Sequence, residues 1–198
     1  MSKSTKFAAM EKTDRKSEIL HVAAKLFRER GYNAVSMRDI AKELDIKAAS
    51  LYNHISSKQE ILELTIIRIA EAFTNGINLI NSQDISVKEQ LTLLVELHIK
   101  LTLADPDAMA CVNNDWMHLA KQELDYFIQM RNRYEDKFRS ILKKGISSGE
   151  IADLNVELML FSMLSTLRTL HLWYGRKKSL QPAQLKADMT RVLLQGIL

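Results

Sequence analysis

A run of small and polar side chains, Lys47, Ala48, Ser50, Tyr52, Asn53 and His54, shares a segment with the apolar Leu51 and Ile55. At helical spacing the two sets separate. The apolar pair turns inward, and the rest form an exposed face of ammonium, hydroxyl, amide and imidazole groups. A helix that enters a DNA major groove by its N-terminal half needs such a face. Lys58 directly follows Ser57, a residue that caps a helix, with Glu60 completing a capping box. A phosphate placed there would meet an ammonium, free backbone N–H groups and the positive helix end. Other uses stay open. Tyr52 could pack between helices, His54 could be a solvated surface group, and Ser36 and Ser57 are caps whatever else they do.

The remaining chemistry-bearing residues point away from catalysis. His98, His118 and His171 lack an i,i+4 histidine partner, Asp115 and His118 alone do not complete a metal site, and Cys111 is the single cysteine. Gly-rich phosphate loops and Gly-x-Ser-x-Gly nucleophile elbows are absent from the sequence. The expectation is a protein that is not an enzyme and carries no metal or cofactor. Arg168 interrupts an otherwise apolar stretch, and a buried arginine needs an anionic partner. That partner is a ligand carboxylate or phosphate, or else Glu157, Glu135 or another subunit. Met109, Trp116, Met117, Phe127, Met130, Tyr134, Phe161, Met163 and Leu164 could line an apolar pocket between helices or serve as plain core.

These residues must be positioned by helices. Apolar residues recur at helical spacing in Ile19, Leu20, Ala23 and Phe27, and Gly31 ends that segment. The reading gives a flexible arm over 1–12 and a helix over about 14–30. A short helix follows, capped by Ser36 and running to about Leu44, and then a turn at Asp45-Ile46. A third helix covers 47–55, and a long one follows Ser57 and fades near 76–81. Further helical patterns cover 87–103, 106–119, 121–146, 156–173 and 182–196. Pro106 and Pro182 stand where a helix begins without losing a hydrogen bond. Strand-type alternation is absent, so the expected fold is all-α with about nine helices. The expected domains are 13–60, a helix-turn-helix head, and 61–198.

Composition agrees. Six glycines and two prolines in 198 residues disfavour a turn-dense β fold. The net charge is +4, and residues 1–60 carry 12 Lys and Arg against 8 Asp and Glu, while the rest carry 16 of each. The whole excess falls on the first 60 residues, the part of the chain that holds the segment reading as a DNA-binding head. The N-terminus lacks an apolar signal core, and the most apolar uncharged stretch, Leu158 to Leu167, spans half a bilayer at most. The expectation is a cytoplasmic protein without a membrane partner.

The stretch from Ala23 to Leu62 resembles the DNA-binding domain of the tetracycline-repressor (TetR) family. The likeness rests on Leu26-Phe27, Gly31-Tyr32, Val35 through Ala41, Ser50 through His54 and Ser57 through Glu60. It implies that Ser36 and Arg38 contact the DNA backbone, that Lys47, Ala48 and Ser50 read base edges, and that Tyr52, His54 and Lys58 bind phosphate. Asn53 lies on the same face. The chain departs from the family at four places. Asp45 replaces the usual turn glycine, and Lys47 stands where Ser or Thr caps the third helix. Ala48 and Ala49 offer only methyl contacts, suited to thymine. Ile55 replaces Phe.

The C-terminal two-thirds more weakly resembles TetR-family members that regulate fatty-acid or steroid catabolism, through Arg131-x-x-Tyr134-Glu135-x-x-Phe138, Gly149-Glu150-Ile151 and Trp173-Tyr174. Gly175-Arg176-Lys177-Lys178 departs from that group. The resemblance implies an acyl-coenzyme A or fatty-acid effector held by the pocket residues above together with Arg168. It also implies a homodimer joined through the eighth and ninth helices, with Leu160, Leu167, His171, Leu185, Met189 and Val192 at the interface. The function implied is a repressor of a palindromic operator, released by an apolar small molecule. The alternatives are a ligand-dependent activator, a co-repressed regulator, and an adaptor dimer that no longer binds DNA.

Overall fold

Nothing between Ser4 and Arg30 breaks a helix: the stretch has no glycine or proline and is rich in Ala, Lys, Glu and Leu. In the computed structural model α1 therefore runs Lys3–Arg30, and residues read from sequence as an arm form its first turns. The structure describes residues 3–174, 180–195 and 197, with side chains from Arg15 onward. The departure at 175–178 lies outside the described residues.

A 3-10 turn, Tyr32–Ala34, leads to α2 (Met37–Glu43) and α3 (Ala48–Tyr52). Then come α4 (Lys58–Asn81), α5 (Val87–Ala104) and α6 (Pro106–Asn114). A second 3-10 turn, Trp116–His118, precedes α7 (Lys121–Ser148), α8 (Val156–Tyr174) and α9 (Pro182–Leu194). Among the described residues the fold is all-α, with nine α-helices. Both prolines open their helices. Ser36 and Ser86 make full capping boxes with Asp39 and Glu89. At α4 the box differs from expectation. The Ser57 hydroxyl accepts from Glu60 N, but the Glu60 carboxylate accepts from the backbone N–H and hydroxyl of Ser56, one residue further back. Those hydrogen bonds hold the Glu60 carboxyl below its ordinary range.

Two large apolar clusters hold the molecule, beside a small third one of Ile69, Ala108 and Met109. One gathers Phe27, Ile40, Leu51, Ile55 and Ile61 around α1–α4, and includes Cys111, Leu119, Phe127 and Met130 from later in the chain. The other joins Leu91, Leu94, Phe138, Leu142 and Leu167 from α5, α7 and α8. Helix α4 belongs to both, through Leu62 and Ile66 at one end and Ile77 and Ile80 at the other. Its 24 residues make a rod about 36 Å long that enters both packing units.

Helix α8 is apolar nearly all round, which suggests burial on every side. The structure buries only one face, with Met159, Leu160, Met163, Leu164, Leu167, Leu170 and His171. The other face leaves Leu158, Phe161, Leu172 and Trp173 exposed. A hydropathy pattern reports that a face avoids water, but not whether its own chain or another one covers it.

The α2–α3 turn shows the cost of the missing glycine. Asp45 takes φ +53°, the one positive φ at a non-glycine residue among those described. The turn closes through Asp45 N–H to Lys42 O and Ile46 N–H to Ala41 O. Aspartate tolerates this left-handed conformation, but a β-branched residue does not. Asp45→Val should lower stability in urea by about 1–2 kcal/mol, while Asp45→Gly should not lower it.

Candidate nucleic-acid interface and adjoining cavity

The head presents its small and polar face outward, as the spacing predicts. Lys47, Ala49, Ser50, Tyr52 and Asn53 are exposed, and Ala48 and His54 are half-buried. Tyr52 is 54% exposed, so it is not packed between α1 and α3. Helix α3 is shorter than expected, five residues without a side-chain cap from Lys47. His54 and Ile55 are still held by N–H donation to Leu51 O. Fully buried Leu51 and Ile55 seat the segment on the core.

Ser36 and Arg38 are exposed at the start of α2. The Ser36 hydroxyl accepts from Asp39 N–H, and Ser36 donates its own N–H and hydroxyl to the Asp39 carboxylate. These bonds keep the Asp39 carboxyl below its ordinary range. Lys58 is engaged inside the chain. Its Nζ donates to the carbonyls of Tyr32 and Val35, each at 2.8 Å, and lies 4.2 Å from the Tyr32 ring centroid. It ties the first turn of α4 to the segment that launches α2.

Around Lys58 the head meets the rest of the chain. The Tyr32 hydroxyl donates to Gln59 Oε1 at 2.9 Å, and Gln59 Nε2 donates to His118 O at 2.9 Å. The Tyr32 and His118 rings stack, with centroids 5.1 Å apart and planes at 21°. Nearby, Asp105 caps α6 and pairs with Arg68 at 2.7 Å, and Asp107 pairs with Arg28 at 2.8 Å.

Trp116, two residues before His118, lines a cavity of about 170 Å³. Of the candidates from sequence, Met109, Trp116, Phe127, Met130, Tyr134 and Arg168 line it. Four do not. Met117 and Phe161 are 65% and 69% exposed, and Met163 and Leu164 are buried in the α5–α7–α8 core. Ala70, Phe73, His98, Val112, Asn113 and Arg131 also line the cavity and were missed. Two of these left a signal. His98 falls on the apolar stripe of α5 with Leu91, Leu94 and Val95, and Arg131 shares a helical face of α7 with Phe127 and Tyr134.

Arg168 finds its anion within the chain: Nη2 donates to Glu135 Oε1 at 2.6 Å. Glu157 pairs instead with Arg139, at 2.6 and 3.0 Å. The Arg131 guanidinium lies 4.8 Å from the Trp116 ring centroid. Deeper in, His98 Nε2 lies 2.8 Å from the Tyr134 hydroxyl. Burial, and secondarily the Arg168 charge, push the His98 imidazole down to about 3. Burial pushes the Tyr134 phenol up. Both are neutral at physiological pH.

The candidate dimer residues divide in the same way. Leu160, Leu167, His171 and Leu185 are buried in their own chain and cannot meet another without unpacking it. Met189 is half-buried, and Val192 is 71% exposed. The large apolar side chains that α8 and α9 present to solvent are Leu158, Phe161, Leu172, Trp173 and Val192.

The buried neutral His98 fixes a sign for stability against pH. The unfolded chain takes up the proton below about pH 6.5, and the folded chain resists it until about pH 3. Stability therefore falls as pH drops through that window, by about 1.4 kcal/mol per unit. Between pH 7 and pH 5, urea denaturation should show the wild type losing about 2 kcal/mol more than His98→Gln.

Known proteins share both halves of this arrangement. The family pattern described as bacterial regulatory proteins, tetR family, matches residues 19–65, and that of the tetracyclin repressor-like C-terminal domain matches residues 84–197. The transcriptional repressor KstR2 of Rhodococcus jostii is 25% identical over 188 residues, covering 94% of this chain and 92% of that one. The structure of the ketosteroid transcriptional regulator KstR2 of Mycobacterium tuberculosis superposes with a TM-score of 0.86 at 24% identity, covering 92% and 94% of the two chains. AibR, solved in complex with isovaleryl coenzyme A and operator DNA, superposes with a TM-score of 0.76 at 21% identity, covering 90% and 97%. With both patterns matched in order along the chain, the protein belongs to the TetR family of bacterial transcriptional regulators.

Proposed function

We propose that the protein is a cytoplasmic, homodimeric, ligand-responsive repressor without catalytic activity. Residues 13–60 form its DNA-reading head, and 61–198 bind the effector and the second subunit. Each head lays α3 in a major groove of a palindromic operator. Lys47, Ala48, Ser50 and Asn53 face the bases, and Ser36, Arg38, Tyr52 and His54 face the phosphates. Lys58 has a share of its charge left for phosphate, but its first task is to hold the head together. The dimer forms through Leu158, Phe161, Leu172, Trp173 and Val192, apolar side chains that a monomer would leave in water.

The observation that carries the regulatory reading is the three-residue turn Trp116–His118. Its first residue lines the cavity, and its last stacks on Tyr32 of the head. An effector that moves Trp116 thereby moves the support of Tyr32, Gln59 and Lys58. A dimer must hold its two heads about 34 Å apart to fit successive grooves. A tilt favoured by the effector lowers affinity through the difference in its binding to the two states. A cavity of about 170 Å³ is the size class that accepts one ring or a short branched chain. A short acyl group fits that volume, with the remainder of a coenzyme A thioester outside. The isovaleryl thioester held by AibR, which shares the fold, supports that class.

The test is fluorescence anisotropy on a duplex selected from a random pool by the wild-type protein. Affinity should fall steeply with salt; a flat response would leave the adaptor reading in its place. Lys47→Ala should weaken binding by about 1–3 kcal/mol and relax one operator position. Tyr52→Phe should cost about 1 kcal/mol without changing thermal stability. Phe161→Asp should yield a folded monomer by sedimentation, with operator affinity greatly reduced.

A further inference from the structure

The deep end of the cavity holds a polar pair that the chain leaves incompletely bonded. His98 is 3% exposed, and Tyr134 is buried beside it. His98 Nε2 meets the Tyr134 hydroxyl at 2.8 Å, while His98 Nδ1 has no partner. Phe73 packs against both rings, with centroids at 4.5 and 5.7 Å, and fixes their planes. Buried polar atoms in folded proteins are nearly always hydrogen-bonded, so an orphan on a pair of side chains that line a cavity calls for a partner.

Counting protons identifies that partner. The neutral imidazole carries one proton and the phenol another, and only one hydrogen bond joins them. If Tyr134 donates to Nε2, the ring proton sits on Nδ1 and is unused. If Nε2 carries the proton and donates to the phenol oxygen, the phenol proton is unused. In either tautomer one donor remains. No protein acceptor takes it among the described residues. Met109, Phe127 and Met130 in the lining offer no strong acceptor, and the Asn113 amide in the same lining is held by donating to the Met109 and Arg168 carbonyls. The half-buried Arg131 and Arg168 also line the cavity, so cationic groups stand in the same site as the neutral pair.

We infer that the His98–Tyr134 pair recognises a neutral oxygen acceptor, such as a ketone or other carbonyl, carried on the apolar body of the effector. This rests on the cavity being the effector site, and it assigns the pair a specificity role there. A hydrocarbon of the same shape seals the unused donor away from water, so the site disfavours it. Effectors are thereby confined to compact apolar molecules bearing an oxygen on the buried portion, with any anionic group toward Arg131 and Arg168.

The probes are cyclohexanone and methylenecyclohexane, which differ in a carbonyl oxygen against a methylene group. Each is titrated into full-length protein labelled at the methionine methyls, with Met109 and Met130 as reporters. The ratio of the two dissociation constants should shift by about tenfold against the ketone in the His98→Leu/Tyr134→Phe double variant. If both probes bind and that ratio is the same in wild type and variant, the inference is overturned and the cavity reading stands. If neither probe binds wild type at millimolar concentration, both fall. Should the double variant not fold, ring-nitrogen chemical shifts of His98 in wild type decide. A shift with the ketone but not with the hydrocarbon supports the pair as the reader, and no difference between the probes refutes it.

Discussion

The Lys58 ammonium joins the two segments that must agree on where the DNA-reading helix points. It bonds the carbonyls of Tyr32 and Val35, just before α2, from the first turn of α4. Hydrogen bonds to a charged donor are worth about 1.5–3 kcal/mol each, and the Tyr32 ring beneath the ammonium adds a cation–π contact. The head is therefore fixed to the start of α4 more firmly than the five-residue α3 could manage alone. Because α4 continues into the second apolar cluster, a change in its tilt is carried to the head.

The links from that joint to the rest of the chain are individually soft. Exposed or half-exposed ion pairs such as Arg68–Asp105 contribute about 0–1 kcal/mol each, and a ring stack like Tyr32–His118 about 0.5–1.5 kcal/mol. A shift from one dominant state to the other needs a differential binding free energy of about 5 kcal/mol. Small apolar ligands can supply a binding energy of that order. On the proposed function, a rigid head on a soft joint lets a small cavity matter, because an effector then has only the joint to disrupt and not the reader.

Much of the head was legible in the sequence because its signals are local. Caps at Ser36 and Ser57, the Asp45 turn and the spacing of Leu51 and Ile55 all act within a few residues of themselves. The rest depended on tertiary partners. Four destinations were open to Arg168, and only the packing of α7 on α8 selected Glu135. Helix α8 is apolar on both faces, so its pattern could not say that Leu160 and Leu167 face inward and Phe161 outward. His98 was weighed as a metal ligand because imidazole chemistry suggested one. Its place on the apolar stripe of α5 marks it as inward-facing, but its partners, a phenol and a phenylalanine from two other helices, leave no trace in the residues around it.

The composition of α3 sets what kind of operator the head can read. On the proposed docking, which gives Tyr52 and His54 to phosphates, Ala48 and Ala49 present methyl groups and leave Lys47, Ser50 and Asn53 to hydrogen-bond base edges. Each full bidentate contact discriminates by about 1–3 kcal/mol, so three such groups supply limited direct readout per half-site. Thymine methyls against the alanines, and the fixed spacing of two heads, must supply the rest. Affinity then leans on phosphate contacts, where the charge excess of residues 1–60 lies. Spacing between heads is the term a soft hinge can alter without touching any base contact. On that docking the sparse face of α3 and the soft joint beneath it work together: the less an operator is held by bases, the more its occupancy depends on where the two heads stand.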